Sequence, residues 1–417
     1  MQRKIFIETY GCTQNKGDSE ILKYLLKDFL VESIDDADTV IVNTCGVKGQ
    51  TERKIALRIS SLLENKRVIV SGCLPKINLG AIDERVSGII GTNDLDRIVE
   101  VVISKEKMIL ISDDNRRLGP KTAFKKIRDN SASAIVQISE GCAGGCSFCC
   151  TRFARGSVHS FPIGEIVKEV KDALSNGYKE ILFTSQDTAV YGLDTGDTLI
   201  SLLNKTFMIN ERFMLRLGMA NPNHIKTFEN ELVDLYKDPH MYRFLHIPVQ
   251  SGDDQVLLDM NRGHSVREFL DTVSLFRKNI KDLYLCTDII VGFPTEDESA
   301  FENTYKLVEK IKPDKINLTR FSPRPGTDSA KVKQITTWIV KERSRRLNLL
   351  RKKISSEINQ SYVGRSFEAL VTEKNKDDTY TGRIYNNKPV ILENAVVGQF
   401  IDVDIEDATS TYLIGRR

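Results

Sequence analysis

The sequence predicts an α/β protein of three parts: an amino-terminal open parallel α/β domain, a partial (β/α)6 barrel, and a small antiparallel β-barrel at the carboxyl end. Three observations carry this prediction. Short β-branched runs alternate with helical stretches over residues 3–105, the alternation resumes at Ala134 for six units, and five strand-like runs follow closely over residues 354–417. Alternating elements are typical of parallel sheets with crossover helices, whereas closely spaced strands with turn residues are typical of small barrels.

Length and composition set the outer limits of the fold. With 417 residues the chain is long enough for two or three domains. We expect a first domain over 1–110, a polar linker over 111–133, the partial barrel over 134–353 ending in a basic helix, and the final barrel over 354–417. A hydrophobic content of 41% with 28% charged residues indicates a globular protein, and no apolar run is long enough for a membrane span.

The eight cysteines and the first ten residues indicate the compartment. The amino terminus carries charges within its apolar stretch, so it does not resemble a secretory signal. We therefore expect a cytoplasmic protein. In a reducing compartment, cysteines serve as metal ligands or free thiols more often than as disulfides.

The first domain places three cysteines after three of its predicted strands. Predicted strands cover Lys4–Glu8, Asp38–Asn43, Arg67–Ser71 and Gly88–Ile90, and predicted helices cover Ser19–Leu30, Thr51–Glu64 and Leu95–Ile103. Cys12, Cys45 and Cys73 follow the first three strands. Because the carboxyl ends of parallel strands meet at one edge of a sheet, we expect the three thiols to converge, the alternative being three small buried residues.

The six predicted strands of the second part are separated by helical patterns. They cover Ala134–Ile138, Glu180–Thr184, Met214–Leu217, Phe244–Ile247, Leu283–Ile290 and Lys315–Thr319. In β/α barrels the chemistry lies on loops after the carboxyl ends of the strands. The loop after the first of these strands carries the next motif.

That motif is Cys142-Ala-Gly-Gly-Cys146-Ser-Phe-Cys149. Its spacing differs from the paired Cys-x2-Cys of closed zinc sites, and thiolates are the usual ligands of a four-iron cluster. Three thiolates leave one iron of such a cluster without a protein ligand, which indicates an enzyme. A zinc-stapled loop and three buried cysteines are the alternatives.

This loop closely resembles the signature of the radical S-adenosylmethionine (SAM) superfamily. The resemblance implies that Cys142, Cys146 and Cys149 hold a [4Fe-4S] cluster whose open iron chelates SAM and yields a 5'-deoxyadenosyl radical. Gln186 and Asp187 would bond SAM or cap their strand, and Asp288, Gly292 and Pro294 would line its adenosine part.

The whole chain resembles the methylthiotransferase family. The motifs are the two cysteine sets, Arg155-Gly156, the runs 184–188, 244–252, 287–294 and 321–327, and a final barrel similar to the OB-like TRAM domain. The resemblance implies an auxiliary [4Fe-4S] cluster at Cys12, Cys45 and Cys73, SAM used twice, tRNA as substrate, a low-potential electron donor and a sulfur source. The basic helix over 331–353, with Arg365 and Arg383, would contact phosphates; the alternative for this helix is a solvated connector without a ligand.

Within the family, the runs 184–188 and 216–222 look most like the archaeal and eukaryotic branch that modifies threonylcarbamoyladenosine-37 of tRNA. A threonylcarbamoyl group carries a carboxylate, which an arginine fork suits. Arg152, Arg155 and Arg216 are therefore candidate substrate ligands, with ordinary ion pairs as the alternative. Isopentenyladenosine-37 of tRNA and an aspartate of a ribosomal protein are the alternative substrates. The alternative to an enzyme is a non-catalytic iron-sulfur protein that binds RNA. The sequence predicts no oligomeric state.

Overall fold

The amino-terminal domain is a five-stranded parallel sheet whose strands lie side by side in chain order. A computed structural model describes residues 3–130 and 132–417; Met1, Gln2 and Ser131, which fall in the predicted first domain and linker, lie outside the described residues. The strands are β1 (Ile5–Thr9), β2 (Thr39–Thr44), β3 (Arg67–Gly72), β4 (Gly88–Gly91) and β5 (Met108–Leu110). The helices are α1 (Thr13–Leu25), α2 (Gly49–Leu62), α3 (Leu74–Ile77) and α4 (Ile98–Ile103).

Helices cover both faces of this sheet. Apolar residues of α1 and α4 pack on one face, and those of α2 and α3 pack on the other. Strand β2 is buried along its whole length, which explains its nearly continuous apolar sequence. The fifth strand was missed in the sequence because it has only three residues.

Helix α1 begins six residues before the predicted start at Ser19. Its first turns are polar, yet Gln14, Asn15 and Asp18 are almost fully buried. Gln14 and Asp18 bond Ser139 and Gln137 of the second part, against whose first strand α1 packs, whereas Asn15 bonds Thr44 of the first domain. The hydrophobic pattern therefore does not indicate where this helix begins.

The second part contains eight strands and nine helices among the described residues. The strands are β6 (Ser133–Gln137), β7 (Ser139–Glu140), β8 (His159–Ser160), β9 (Glu180–Thr184), β10 (Met214–Leu217), β11 (Phe244–His246), β12 (Tyr284–Val291) and β13 (Lys315–Arg320). The helices are α5 (Thr151–Arg155), α6 (Ile163–Ser175), α7 (Leu199–Phe207), α8 (Pro222–Ile225), α9 (Glu229–Leu235), α10 (Asp254–Asp259), α11 (Val266–Asn279), α12 (Glu298–Ile311) and α13 (Thr337–Gln360).

Six of these strands form the predicted partial barrel. Parallel strands β6, β9 and β10 make one sheet and β11, β12 and β13 another, and a bridge from Leu215 to Met241 joins them. One large apolar core lies between the strands and the surrounding helices. Strands β7 and β8 form a short antiparallel ladder that flanks the cysteine loop.

The last part is a closed five-stranded barrel. Its strands are β14 (Ser366–Lys374), β15 (Tyr380–Ile384), β16 (Pro389–Leu392), β17 (Phe400–Ala408) and β18 (Leu413–Arg416). All its strand pairs are antiparallel except β16 with β18, which is parallel. It docks on the loops that precede the barrel strands: Tyr385 donates to Asp282 at 2.6 Å and Lys388 to Asp314 at 2.9 Å. The cysteine loop lies at the opposite end of those strands.

The segment over 111–130 and 132–133 is polar, as expected of a linker, but it packs closely between the first two parts. Lys121 is completely buried in it, and Asn115 donates from its side chain to the carbonyl of Arg155 at 2.9 Å. In the described part of the chain, no helix is both long and apolar enough to cross a bilayer.

Candidate functional site

The three amino-terminal cysteines lie at one edge of the first sheet. Strands β1, β2 and β3 pair in parallel with their carboxyl ends aligned, and Cys12, Cys45 and Cys73 follow those ends. The carboxamide oxygen of Asn15 accepts from the thiol of Cys12 at 3.5 Å and from the thiol of Cys73 at 3.7 Å. The fold therefore brings together thiols that are far apart in sequence.

Two glycines make this edge possible. Gly11 has φ +125°, and a Cβ there would lie 3.0 Å from the Asn15 side chain and 3.1 Å from the Cβ of Cys45. Gly72 has φ +96°, and its Cβ would lie 2.4 Å from the backbone oxygen of Thr44. A side chain at either position would separate the cysteines.

Asn15 is the residue on which this edge converges. Its position shortly after Cys12 in the sequence predicts a polar group that lines a cavity over the three thiols, or an amino-terminal cap of the helix. It does not cap α1. Its amide nitrogen donates to the carbonyl of Thr44 at 2.8 Å, and its oxygen also accepts from Arg155 at 3.1 Å. Its placement three residues after Cys12, in a helix whose first turns are polar, is the signal in the sequence for this role.

Arg155 belongs to a buried network of four charges. Its guanidinium lies 2.7 Å from Asp18 and contacts Glu140, and Lys121 bonds both carboxylates at 2.7 Å. None of the four residues is more than 2% exposed. Burial works to raise the pKa of Asp18, but Arg155 and Lys121 outweigh it and lower that pKa.

Arg155 is thus engaged inside the protein, and the substrate contact considered for it is not available in this arrangement. The reason is its place at the end of α5, which packs against α3 of the first domain. Arg155 instead connects the two cysteine sites, since α5 directly follows Cys149 and Cys150 while its guanidinium reaches Asn15 beside Cys12 and Cys73.

The second cysteine site is the loop between β7 and α5. The backbone N–H of Gly144 donates to the sulfur of Cys142 at 3.3 Å, and Arg262 donates to the sulfur of Cys146 at 3.3 Å. Asn261 fixes the loop through the carbonyl of Gly145 at 2.8 Å. Donors aimed at sulfur suit thiolates that carry negative charge.

Burial raises the pKa of Cys73 and of Cys142 to about 11. Thiolates, not thiols, bind iron, so metal loading must displace these protons. All eight cysteines are free thiols. No group of three or more His, Cys, Asp or Glu side chains in the described residues is arranged to hold a single metal ion. Two all-thiol sets of three fit iron-sulfur clusters.

Gln186 and Asp187, expected to bond SAM or cap their strand, have partners within the protein. Gln186 accepts from the backbone N–H of Gly141, at the base of the cysteine loop, at 2.7 Å. Asp187 accepts from the N–H groups of Ala189 and Asn221 at 3.0 Å and bonds His224 at 2.7 Å. Gln186 therefore holds the base of the cysteine loop, and Asp187 holds the backbone after β9.

Polar side chains project into the interior of the partial barrel. Asp288 bonds His246 at 2.9 Å and Asn317 at 2.7 Å. Although burial opposes it, Cys286 and Asp288 raise the pKa of His246 to about 10. Arg216 lies over the ring of Phe244 at 5.9 Å, and within the described residues it makes no hydrogen bond or ion pair. Burial lowers its pKa.

The remaining candidates are placed as follows. Gly292 has φ +79°, and a Cβ there would lie 2.5 Å from Val340 of α13, so this glycine permits the helix to approach. Pro294 is half-buried in the turn after β12, and Arg152 is exposed on α5. Cys150 and Cys286 are buried outside both sets; Cys150 donates to the carbonyl of Gly46 at 3.6 Å, and Cys286 accepts from Asn317 at 3.7 Å.

Acids on neighbouring elements neutralise part of the positive charge of the basic helix, α13. Arg343 pairs with Glu296 at 2.9 Å and with Glu298 at 3.0 Å, and Arg346 pairs with Glu298 and Glu302. Arg365 in the last part is similarly held by Asp282. Only part of this positive charge is available to a nucleic acid.

Three family models match the chain in the order of its three parts. They are described as Uncharacterized protein family UPF0004 over residues 4–90, Radical SAM superfamily over 136–308, and TRAM domain over 360–416.

Curated proteins match over the full length. A "Probable threonylcarbamoyladenosine tRNA methylthiotransferase" of Pyrococcus abyssi is 47% identical over 99% of both chains, and one of Archaeoglobus fulgidus is 43% identical over 99% of this chain and 98% of its own. The human "Threonylcarbamoyladenosine tRNA methylthiotransferase" is 35% identical over 99% of this chain and 74% of its own.

Solved structures share the fold at low identity. The radical SAM methyltransferase TsrM from Kitasatospora setae, with cobalamin and a [4Fe-4S] cluster bound, matches with a TM-score of 0.59 and 12% identity over 79% of this chain and 77% of its own. The cobalamin-dependent radical enzyme OxsB matches with a TM-score of 0.51 and 13% identity over 84% of this chain and 56% of its own.

Proposed function

The chain belongs to the threonylcarbamoyladenosine tRNA methylthiotransferase family, and we propose that its two cysteine sets hold the two iron-sulfur clusters of this radical SAM enzyme. The reaction is methylthiolation of C2 of N6-threonylcarbamoyladenosine at position 37 of tRNA. One observation carries the proposal: two three-thiol sites on different domains are joined across the interface by Arg155, which reaches the Asn15 oxygen that two of the thiols share.

The all-thiol composition of both sets supports one cluster at each. Cys142, Cys146 and Cys149 hold the cluster that binds SAM, and Cys12, Cys45 and Cys73 hold the auxiliary cluster. When bound, the first group supplies the electron that cleaves SAM and the second supplies the sulfur that is methylated and transferred. An electron donor of low potential and a source of sulfur are further requirements, and we place the reaction in the cytoplasm.

The protein's own residues close the reaction space. Helix α1 packs on β6, where Gln137 donates to Asp18 at 2.9 Å and Gln14 donates to the carbonyl of Ser139 at 3.3 Å. These contacts hold the first domain against the barrel on the side of the cysteine loop. Exclusion of water protects reactive intermediates from side reactions.

Arg216 is the arginine that best suits the carboxylate of the threonylcarbamoyl group. Its neighbours Leu215 and Leu217 pack in the core beneath the helices, so Arg216 faces the barrel interior. Among the described residues it makes no hydrogen bond or ion pair, although Glu180 lies near enough to act on its charge, whereas Arg155 bonds three side chains. An unpartnered guanidinium in a restricted space favours a bidentate carboxylate. Arg152 remains a second candidate at the exposed end of the loop.

The nucleosides of tRNA test the proposal directly. A strain that lacks the gene is expected to lose 2-methylthio-N6-threonylcarbamoyladenosine and to regain it with the intact gene, as measured by mass spectrometry of digested tRNA. An unchanged tRNA profile would contradict the proposal. Loss of a methylthio isopentenyl nucleoside, or of a modified ribosomal-protein aspartate, would instead favour the alternative substrates.

A further inference from the structure

A cavity of about 680 Å³ lies at the junction of the first domain, the barrel and α13. Its walls are the first turn of α2, the residues after β12 and β13, and one face of α13. It is large enough for a small ligand or a short stretch of chain. None of the cluster cysteines lines it, so it is separate from both thiol sites.

The lining of this cavity is strongly positive. Six of its side chains are cationic, and none is acidic: Lys48, Arg53, Arg320, Lys341, Arg345 and Arg351. Arg345 pairs with Glu342, and Arg351 bonds the neutral Asn348. The other four make no hydrogen bond or ion pair through their side chains with any described residue. This contrasts with Arg343 and Arg346 of α13, which acids neutralise.

The start of α2 adds further positive potential. The helix has 14 residues and begins at Gly49, and no side chain caps its first N–H groups. The only acid of its first turn, Glu52, is engaged with Arg324. Gly49 and Gln50 line the cavity, so unpaired backbone donors and the positive end of the helix dipole lie at its wall.

The cavity adjoins the reaction space through Lys48. This residue lines the cavity and follows Cys45 by only three positions. Asp288 of β12 faces the barrel interior. Gly292, just after β12, and Thr319, near the end of the neighbouring strand β13, line the cavity. A chain that leaves the barrel interior on this side would enter the cavity.

We propose that this cavity binds the phosphates of the RNA backbone next to the target nucleotide. The assignment rests on the proposed function and names a contact surface for its substrate. Lysine and arginine side chains and the N–H groups at helix amino termini are the groups that bond the phosphate oxygens of nucleic acids. The cavity lining contains no acidic side chain that would repel phosphates. The bound stretch is short, because the cavity is small.

Affinity for RNA at different salt concentrations tests this assignment. Full-length reconstituted enzyme is titrated against a labelled anticodon stem-loop that carries threonylcarbamoyladenosine. The test variant is Arg320→Gln with Lys341→Gln. The control is Lys168→Gln with Lys171→Gln, because these two lysines of α6 are exposed, make no side-chain hydrogen bond or ion pair with a described residue, and lie outside the cavity and the basic helix. Both variants remove two positive charges.

The test variant is expected to bind about tenfold more weakly at 0.1 M salt, and the slope of log K against log salt is expected to fall by about 1.4, which corresponds to two lost phosphate contacts on single-stranded RNA. The control is expected to keep the wild-type slope. Equal slopes in the two variants would overturn the assignment. Matching thermal unfolding of both variants excludes a folding defect.

A second arm separates RNA from small anions. Binding of inorganic phosphate and of ATP is measured with the same proteins. If the test variant loses either ligand but keeps its RNA affinity, the cavity is a small-anion site and the assignment is wrong. If the wild type makes no methylthio nucleoside but the test variant still loses RNA affinity, the proposed function fails while the cavity assignment stands.

Discussion

The two cysteine sites differ in how the chain assembles them. Cys142, Cys146 and Cys149 lie on one loop, and local contacts such as Gly144 N–H to the Cys142 sulfur hold it. Cys12, Cys45 and Cys73 come together only because β1, β2 and β3 end at one edge. A local site depends on its own loop, whereas a distributed site depends on the fold of a whole domain.

The groups that contact the sulfurs differ as well. At the loop, Arg262 brings a full positive charge to Cys146. At the sheet edge, the shared contact is the neutral Asn15, whose oxygen is held by Arg155. The charge of Arg155 is balanced by Asp18 and Glu140. Both sites therefore have a cation close to sulfur, since Arg155 also acts on the thiol of Cys73, but two carboxylates balance the cation at the sheet edge.

The largest effect is expected at the residue that joins the sites. Arg155→Leu leaves Asp18 and Glu140 buried with only Lys121 to neutralise them, which should cost about 3 kcal/mol or more. We expect a fall of several degrees in the midpoint of thermal unfolding and faster proteolysis between the first two domains. Arg155→Lys keeps the charge and should lose less. Equal unfolding midpoints for wild type and Arg155→Leu would show that the sites are not joined through this residue.

A smaller effect is expected on the reduction potential of one cluster only. Hydrogen bonds to cluster sulfurs help to set the potential, so Arg262→Met, which removes the donor to Cys146, should make the potential of the loop cluster more negative and leave that of the other unchanged. Redox titration followed by electron paramagnetic resonance measures both. A shift in the auxiliary cluster instead would reverse the assignment of Arg262.

The smallest effect concerns pH. Burial and the nearby Arg262 lower the pKa of His264 from its ordinary 6.5 to about 4. The unfolded chain therefore takes up a proton below pH 6.5 that the folded chain refuses until about pH 4. Folding stability should fall by about 2 kcal/mol between pH 7 and pH 5.

His264→Leu removes this titration, so its unfolding midpoint should change less over the same pH range than that of the wild type. His264 lies two residues from Arg262, which contacts Cys146. The loss of stability in acid is therefore expected near the cysteine loop and not near the sheet-edge site. A wild-type pH dependence in His264→Leu would show that other groups cause it.

The regular elements of the barrel were well predicted from sequence, since buried parallel strands give apolar runs. The predicted bounds of β9 and β10 match the structure residue by residue. The predicted start of α1 was wrong because the buried face of its first turns is polar. Part of that face packs against a strand more than 100 positions away in the sequence. Pattern and propensity carry no information on such contacts.

The same limit applies to charges. The sequence shows a basic helix and a candidate substrate arginine at position 155, but Glu298 and Glu302 neutralise Arg346, and Asp18 and Glu140 neutralise Arg155. These partners come from other elements or another domain. Which cations remain free, such as Arg320 and Lys341, is decided by packing. The cationic cavity was therefore not visible in the sequence.

The central claim is that the two cysteine sites have separate tasks, and one pair of variants tests it most directly. In anaerobic reactions with dithionite, SAM and tRNA that carries threonylcarbamoyladenosine, Cys12→Ala should still release 5'-deoxyadenosine but form no methylthio nucleoside. Cys146→Ala should form neither product. Intact methylthiolation in either variant, or loss of 5'-deoxyadenosine in Cys12→Ala with the loop cluster still loaded with iron, would contradict the account.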